Sequence, residues 1–488
     1  MVDSDKKKNS KIPAKLLRLF YSQDKCETLL GDLDEGYRVF VSEKSLFRAR
    51  FWYFVQLLKI ITGILYNKIY WSFPMLKNYL KIALRNLKRQ KMYSFINISG
   101  LGLGLACCIL ILLWMNDELS YDRFHKNAED IYAVGCRMKI GDRVEYFFAS
   151  PSAVGPAFKS EFPEIINSVR IYGETKDMVL KYGEKKYNEV ISFADPEIFE
   201  VFSFPLVYGD KDNALANPQS IILTEDMALK YFGSKSPLGE MIQLDNSNFY
   251  TVTGVVKNIP KNSTIQFDFL IPLAFLTERY GADYLNMWRN YAYRTYFQVQ
   301  KGISIDILNE KISNRFKKEN TGDNEDIFLR PLSGLHLYWM GHGGGNIESV
   351  RVFGIAAILI LFIACINFIN LSLAGSVSRS KEIGLRKAFG AFKKDIIKQF
   401  YGESILLLCF SLILSIVLVK LTIPVFNGFT GKHLTFNILG DLKIMQILFG
   451  MTVFTAIVCG SYPALYLSTF QPVNAIRGII SIGKRNPV

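Results

Sequence analysis

Four stretches of this chain are too apolar for a fold surrounded only by water. Residues 95–115, 352–373, 405–419 and 444–467 contain no charged side chain, and the third extends to Leu421 if Lys420 snorkels to the interface. Roughly 20 residues of helix cross a hydrocarbon core of about 30 Å, and each run approaches or exceeds that length. Lipid offers no hydrogen bonds, so a spanning backbone must pair its own N–H and C=O groups, which favours helices. The expected fold class is therefore a membrane protein with four transmembrane α-helices, one and then three, and a large inserted mixed α/β extracytoplasmic domain. The spans are expected at 95–116, 350–373, 400–421 and 444–467.

Charge orients these spans. The residues before Phe95 carry 19 basic and 8 acidic side chains, the segment 374–399 carries 7 and 2, and the tail from Ser468 has a net charge of +3. The segment 117–348 carries 25 basic and 32 acidic side chains, and the short loop 422–443 has a net charge of +1. Six basic residues lie between Lys77 and Lys91, immediately before the first span. Positive flanks stay in the cytoplasm. The N-terminus, the 374–399 loop and the 468–488 tail are thus expected in the cytoplasm, with 117–348 and 422–443 outside. The net charge of +14 is concentrated at membrane flanks, which argues for membrane lipid and against nucleic acid as the partner of the basic residues.

The remaining segments fill in this plan. Residues 1–74 form a polar, then aromatic-rich prefix in which 47–71 reads as an interfacial helix rather than a fifth span. Residues 75–94 place Leu76, Leu80, Ala83, Leu84 and Leu87 at helical spacing, as an amphipathic juxtamembrane helix. The first span has 94 residues before it and reads as an uncleaved anchor. Its "SGLGLGLA" (99–106) puts Gly100, Gly102 and Gly104 inside lipid, where small residues allow close helix packing. In the inserted domain, "SIILTEDMALKYFG" reads as a strand, an N-cap at Thr224 and a helix stopped by Gly233. "GEMIQL" and "FYTVTGVV" alternate as two strands around a turn at 245–248.

Chemical motifs are lacking. The chain contains no G-x-x-x-x-G-K-[ST] loop, H-E-x-x-H, C-x-x-C or G-x-S-x-G, so neither a bound nucleotide nor a catalytic set is expected, and no cofactor. His336 and His342 read as a packed and a loop histidine rather than a metal pair, and Asp117/Glu118 as ordinary exposed charge. Cys136 is the one thiol expected outside, and it has no partner there.

Several longer motifs carry a resemblance. "NDELSYDRFHKNAEDIY" (116–132), "FADPEIFEVFSFPLVYGD" (193–210) and "ILTEDMALKYFGSKSPLGEMI" (222–242) resemble segments of a MacB-like periplasmic core domain. "IACINFINLSLAGSVSRSKEIGLRKAFGAFKKDIIKQFYGES" (363–404) and "GSYPALYLSTFQPVNAIRG" (460–478) resemble an FtsX-like permease. The family is that of MacB/FtsX-type ABC transporter permease subunits, and 1–74 looks like the permease prefix found on some of them. The resemblance implies a non-enzymatic subunit that works with cytoplasmic ABC ATPase subunits and a second permease copy, identical or not. A periplasmic adaptor or outer-membrane channel is a further partner of the kind the family uses. The implied work is ATP-driven movement of the outside domain, exporting or extracting a peptide, antibiotic or lipoprotein. Two other readings stand beside it: an FtsX-like regulator of an extracytoplasmic hydrolase, and a sensor or anchor with no ATPase.

The basic segment 374–399 is longer than two antiparallel helices need. Ile383, Leu385, Ala388 and Phe389 can form an apolar strip, interrupted by Gly384 and Gly390. The resemblance makes this a coupling segment facing the ATPase, with Glu382, Arg386 and Lys387 as rim charges beside Ile383. Asn367 and Asn370 in the second span need hydrogen-bond partners, either in the same bundle or in a second permease. Glu403, at the inner edge of the third span, is expected to pair with a loop cation.

Overall fold

The computed structural model describes residues 23–43, most of 51–62, 89–173, 177–245, 248–319, 324–338, 345–377, 392–437 and 440–468, with isolated positions at 81, 85, 384, 385, 389 and 390. Most of the amphipathic stretch read over 75–94, the prefix before 23 and the tail after 468 lie outside the described residues. Contacts divide the chain into two units. One comprises Met1–Gly102, Cys365–Leu414 and Met451–Val488, the other Leu103–Ala364 and Ser415–Gly450.

The helices in chain order are α1 (Gln23–Glu43), α2 (Lys91–Leu119), α3 (Val154–Glu161), α4 (Ile198–Val201), α5 (Glu225–Phe232), α6 (Ala274–Tyr280), α7 (Ile305–Glu319), α8 (Leu332–Leu335), α9 (Asn346–Val377), α10 (Lys393–Thr430) and α11 (Leu442–Ser468). Among the described residues four of them, α2, α9, α10 and α11, are long and apolar enough to cross a membrane. They outrun the apolar stretches read from sequence. At 1.5 Å per residue, α10 alone extends about 57 Å, well past a hydrocarbon core of about 30 Å. It continues through Pro424, and only 431–441 separates it from α11.

In the first unit, Leu57 of the 51–62 helical stretch packs on Leu33 of α1. Helices pack here through small residues and hydroxyls. Tyr93 Oη donates to Ser372 Oγ at 3.0 Å, and Tyr401 Oη lies 2.8 Å from Ser461 Oγ. A methyl group at Gly102 would meet Leu414 at 3.0 Å and the Ser411 carbonyl at 3.2 Å.

The second unit contains the inserted α/β domain, whose strands are β1 (Ile131–Ile140), β2 (Arg143–Phe147), β3 (Ile165–Tyr172), β4 (Asp177–Tyr182), β5 (Lys185–Ala194), β6 (Leu206–Tyr208), β7 (Ser220–Thr224), β8 (Met241–Leu244), β9 (Asn248–Val256), β10 (Phe269–Pro272), β11 (Arg294–Val299) and β12 (Glu325–Pro331). Four of them lie in the order β12-β1-β11-β3, all antiparallel. With α3 after β1 and α7 after β11, they make two interleaved split β-α-β units, the ferredoxin-like arrangement. Its helix-covered face buries Val134, Phe158, Phe297, Leu308, Ile312 and Phe316. A second subdomain is inserted between β3 and β11. There β10-β7-β9-β8-β4-β5 closes on itself, because β10 also pairs in parallel with β5. Closure removes the free edges of those strands. Leu180, Ile191, Phe193, Ile221, Ile242, Val252 and Phe269 fill the ring.

Arg170 of β3 fastens the two subdomains where β3 meets β5. Its guanidinium makes a two-pronged pair with Asp195, both bonds at 2.9 Å, and Nη1 donates to the carbonyls of Ser152 and Leu285. The alternation read over 241–256 is realised as the β8–β9 hairpin. Thr224 precedes α5, and Gly233 ends it with a left-handed φ of 62°.

Candidate functional site

The residues that join the long apolar helices to the α/β domain make a continuous polar joint within the second unit. It begins where α2 runs out of apolar sequence. Asp117 and Glu118 occupy its last turn, and Tyr121, Asp122 and His125 follow as the chain turns toward β1.

Glu118 is the centre of the joint. Its side chain is only 4% exposed. One carboxylate oxygen accepts from Lys432 Nζ at 2.8 Å. The other accepts from Asn346, at the first residue of α9, at 3.3 Å, and it also bonds to His336 Nε2. Asp117 accepts from the same Lys432 at 2.8 Å, and Tyr121 Oη lies 3.1 Å from that ammonium. The Tyr121 ring stacks face to face on His336. These groups come from the end of α2, the segment after α8, the start of α9 and the α10–α11 loop. The reading of Asp117/Glu118 as ordinary exposed charge is therefore corrected for Glu118: it is buried, and its compensating cation comes from a loop that sequence proximity could not suggest.

The next residues bind the chain to the domain. Asp122 is fully buried with φ of 57°, a left-handed conformation that non-glycine residues seldom adopt. The fold supports this strain through three hydrogen bonds. The Asp122 carboxylate accepts from Ser263 Oγ, Thr264 N and Thr264 Oγ1 at 3.1, 2.8 and 2.8 Å. Burial pushes its pKa up, and the donors from Thr264 and Ser263 only partly offset this. His125 is packed among Phe124, Phe202 and Phe204. Its Nδ1 accepts the Ser203 backbone N–H at 3.1 Å, which fixes the proton of the neutral ring on Nε2. Burial in this aromatic pocket lowers its pKa to about 4.

Gly104 lies deeper in α2. A methyl group there would sit 2.6 Å from Ala364 Cβ, so α2 and α9 approach closely at this level. At Gly100 the added methyl would meet Asn367 Nδ2 at 3.3 Å. Asn367 and Asn370 are both exposed on the single chain, on the same side as Phe362, Ile363 and Ile366. Glu403 accepts from Gln399 at 3.1 Å, one turn earlier on α10. Of the residues read as a coupling set, Glu382, Ile383, Arg386 and Lys387 lie outside the described residues. Gly384 is helical and buried, and Gly390 is exposed in a turn with φ of 91°. Phe389 and Phe392 beside it are 87% and 76% exposed.

Sequence reading did not single out Lys432, His336, Tyr121, Asn346, Asp122 or His125 as functional. One signal was available: two adjacent acids at the end of an apolar run, and a lysine following a glycine in a short interhelical loop.

Fold and joint together define a class: a membrane protein whose large α/β domain is inserted between its first two apolar helices and tied to their ends. Comparison with known proteins narrows the class. Residues 94–315 match the MacB-like periplasmic core domain, and 354–472 match the FtsX-like permease C-terminal domain. The chain is 28% identical over 312 residues to the macrolide export ATP-binding/permease protein MacB of Bdellovibrio bacteriovorus, covering 61% of this chain and 45% of that protein. It is 22% identical over 317 residues to the ABC transporter permease YknZ of Bacillus subtilis, covering 62% and 73%. The periplasmic region of MacB from Actinobacillus actinomycetemcomitans aligns with a TM-score of 0.32 at 12% identity, over 41% of this chain and 90% of that one. The chain belongs to the MacB/FtsX-type family of ABC transporter permeases. It spans about half the length of the MacB relatives and matches their permease part.

Proposed function

We propose that this chain is a mechanotransmitting permease subunit in an inner membrane, with both termini and the 374–399 segment in the cytoplasm. ATP hydrolysis in separate ABC ATPase subunits moves that segment, and the spanning helices carry the displacement to the α/β domain outside. The observation that carries this reading is the polar joint. A domain tethered by two flexible linkers would not respond to small helix movements. Here the end of α2 is held to the domain by Asp122 and His125, and to the start of α9 by Glu118. Stiff helices joined to a packed domain transmit rigid-body shifts.

The partner-facing end is supported by Phe389 and Phe392, two exposed aromatics flanking a glycine turn. Aromatic side chains of this kind anchor in grooves of protein partners. Glu382, Ile383, Arg386 and Lys387 are assigned to the same contact, together with the exposed Gly390, while the buried Gly384 is assigned to close packing behind it. Asn367 and Asn370 are assigned to the contact with a second permease copy, where an exposed amide of a spanning helix finds a partner. Gly100, Gly102 and Gly104 are assigned to packing within the bundle, and Glu403 to holding the cytoplasmic end of α10. The outside work is export or extraction of a peptide, antibiotic or lipoprotein.

A photo-crosslinking residue in place of Phe389, activated in native membranes, tests the reading. Capture of a protein carrying a G-x-x-x-x-G-K-[ST] loop is expected. Crosslinks to lipid alone would contradict it.

A further inference from the structure

We infer that Lys432 is a positioning residue that latches the loop between α10 and α11 onto the end of α2. The part of the α10–α11 hairpin that shares the second unit, 415–450, then moves with the α/β domain instead of sliding past it. The purpose of the latch rests on the permease reading above, whereas its existence does not.

The geometry is that of a built contact. An ammonium has three N–H donors, and Lys432 has three acceptors within reach: Asp117 Oδ2 and Glu118 Oε1 at 2.8 Å and Tyr121 Oη at 3.1 Å. Its Nζ also lies 4.5 Å from the Tyr121 ring centroid. The side chain is 14% exposed, so solvent screens the pair weakly. Burial alone would push the lysine pKa down. The bonds to Asp117, Glu118 and Tyr121 outweigh burial and push it up, which keeps the charge in place.

The loop is shaped to present this side chain. Gly431 takes a left-handed φ of 66° immediately after α10 ends. Asn427 then clamps the loop in both directions. Its Nδ2 donates to the Leu434 carbonyl, and its Oδ1 accepts the Leu434 N–H, each at 3.0 Å. Leu434 is buried, so the loop is pinned on both sides of Lys432. The receiving carboxylate is equally committed, since the second Glu118 oxygen is held by His336 and Asn346. Removing the ammonium leaves two adjacent carboxylates, one of them buried, facing each other without a cation.

The experiment uses the full chain in lipid nanodiscs. A nitroxide at Thr435→Cys, with Cys26, Cys107 and Cys409 replaced by serine, reports loop mobility, and amide hydrogen exchange reports protection at 431–436. Lys432→Met should sharpen the nitroxide spectrum and raise exchange across 431–436 at least tenfold. Exchange in β1, β11 and β12 should stay within twofold. Lys432→Arg, which keeps the charge, should restore the wild-type spectrum, and Glu118→Gln should give an intermediate one. An unchanged loop in Lys432→Met would overturn the latch. Equal loosening of loop and sheet, or failure of Lys432→Arg to restore order, would reduce Lys432 to a general packing residue and overturn it too. None of these readouts involves an ATPase, so the latch can stand or fall apart from the permease reading.

Discussion

Acidification should loosen the domain at His125, by an amount that can be worked out. In the fold its burial among aromatic rings lowers the pKa to about 4, against 6.5 for a free imidazole. The folded state therefore resists protonation that the unfolded chain accepts. For a base whose folded pKa is depressed, stability is full above the unfolded value and is lost as pH falls between the two values. The whole window of 2.5 units corresponds to about 3.4 kcal/mol at 1.36 kcal/mol per unit. Between pH 7 and pH 5 the loss is about 2 kcal/mol. The structure also names the bond that fails. Nδ1 accepts the Ser203 N–H, and a proton on Nδ1 would oppose that donor. The assay is hydrogen exchange of the full chain at pH 7, 6 and 5, corrected for intrinsic rates and followed at 202–204. His125→Asn serves as reference, because its side-chain oxygen can accept the same N–H and never acquires charge. Wild type should lose roughly 30-fold of protection relative to the variant over this range, the equivalent of about 2 kcal/mol. Parallel pH profiles for the two proteins would rule out His125 as the group whose protonation loosens 202–204.

Three further outcomes follow from the same structure. Asp195→Asn should destabilise the inserted domain by about 3–5 kcal/mol, because it leaves the buried Arg170 guanidinium without its counter-charge; denaturant-induced loss of Trp288 fluorescence checks this. Gly104→Val should force α2 and α9 apart at Ala364 and lower the thermal aggregation temperature in detergent, whereas Gly428→Val, with no atom within 4 Å of its added methyl, should not. Phe389→Asp combined with Phe392→Asp should abolish ATP-dependent activity in cells while leaving the membrane-inserted amount unchanged by immunoblot.

The parts of the fold that are short-range were legible in the sequence. Four charge-free runs read as membrane helices because charge in lipid is expensive, and among the described residues each lies in a helix long and apolar enough to cross a membrane. The β8–β9 hairpin and α5 were legible because alternation and a terminal glycine act within a few residues; Thr224 does stand at the start of α5, but its hydroxyl makes no capping bond. Long-range closure was not. Nothing local announces that β10 pairs in parallel with β5, or that β3 and β11 become neighbours with the closed ring inserted between them. The joint failed to show for the same reason. Tyr121 and Lys432 are 311 positions apart, and an acid at the end of a span looks solvated until its cation is found. The glycines of α2 were legible as a type of contact, but the register that sets Gly104 against Ala364 and Gly102 against Ser411 comes only from three dimensions.

In the proposed mechanism, ATP consumed by a neighbouring subunit moves the α/β domain through the helices. The most direct measurement is a distance. The complex is purified through this chain from native membranes and reconstituted in nanodiscs, with a fluorophore pair at the exposed Ile140 position in two copies of the domain. ATP together with a hydrolysis-trapping analogue should switch the transfer efficiency between two values, and Phe389→Asp should abolish the switch. A single unchanging efficiency in a preparation that hydrolyses ATP would rule this mechanism out.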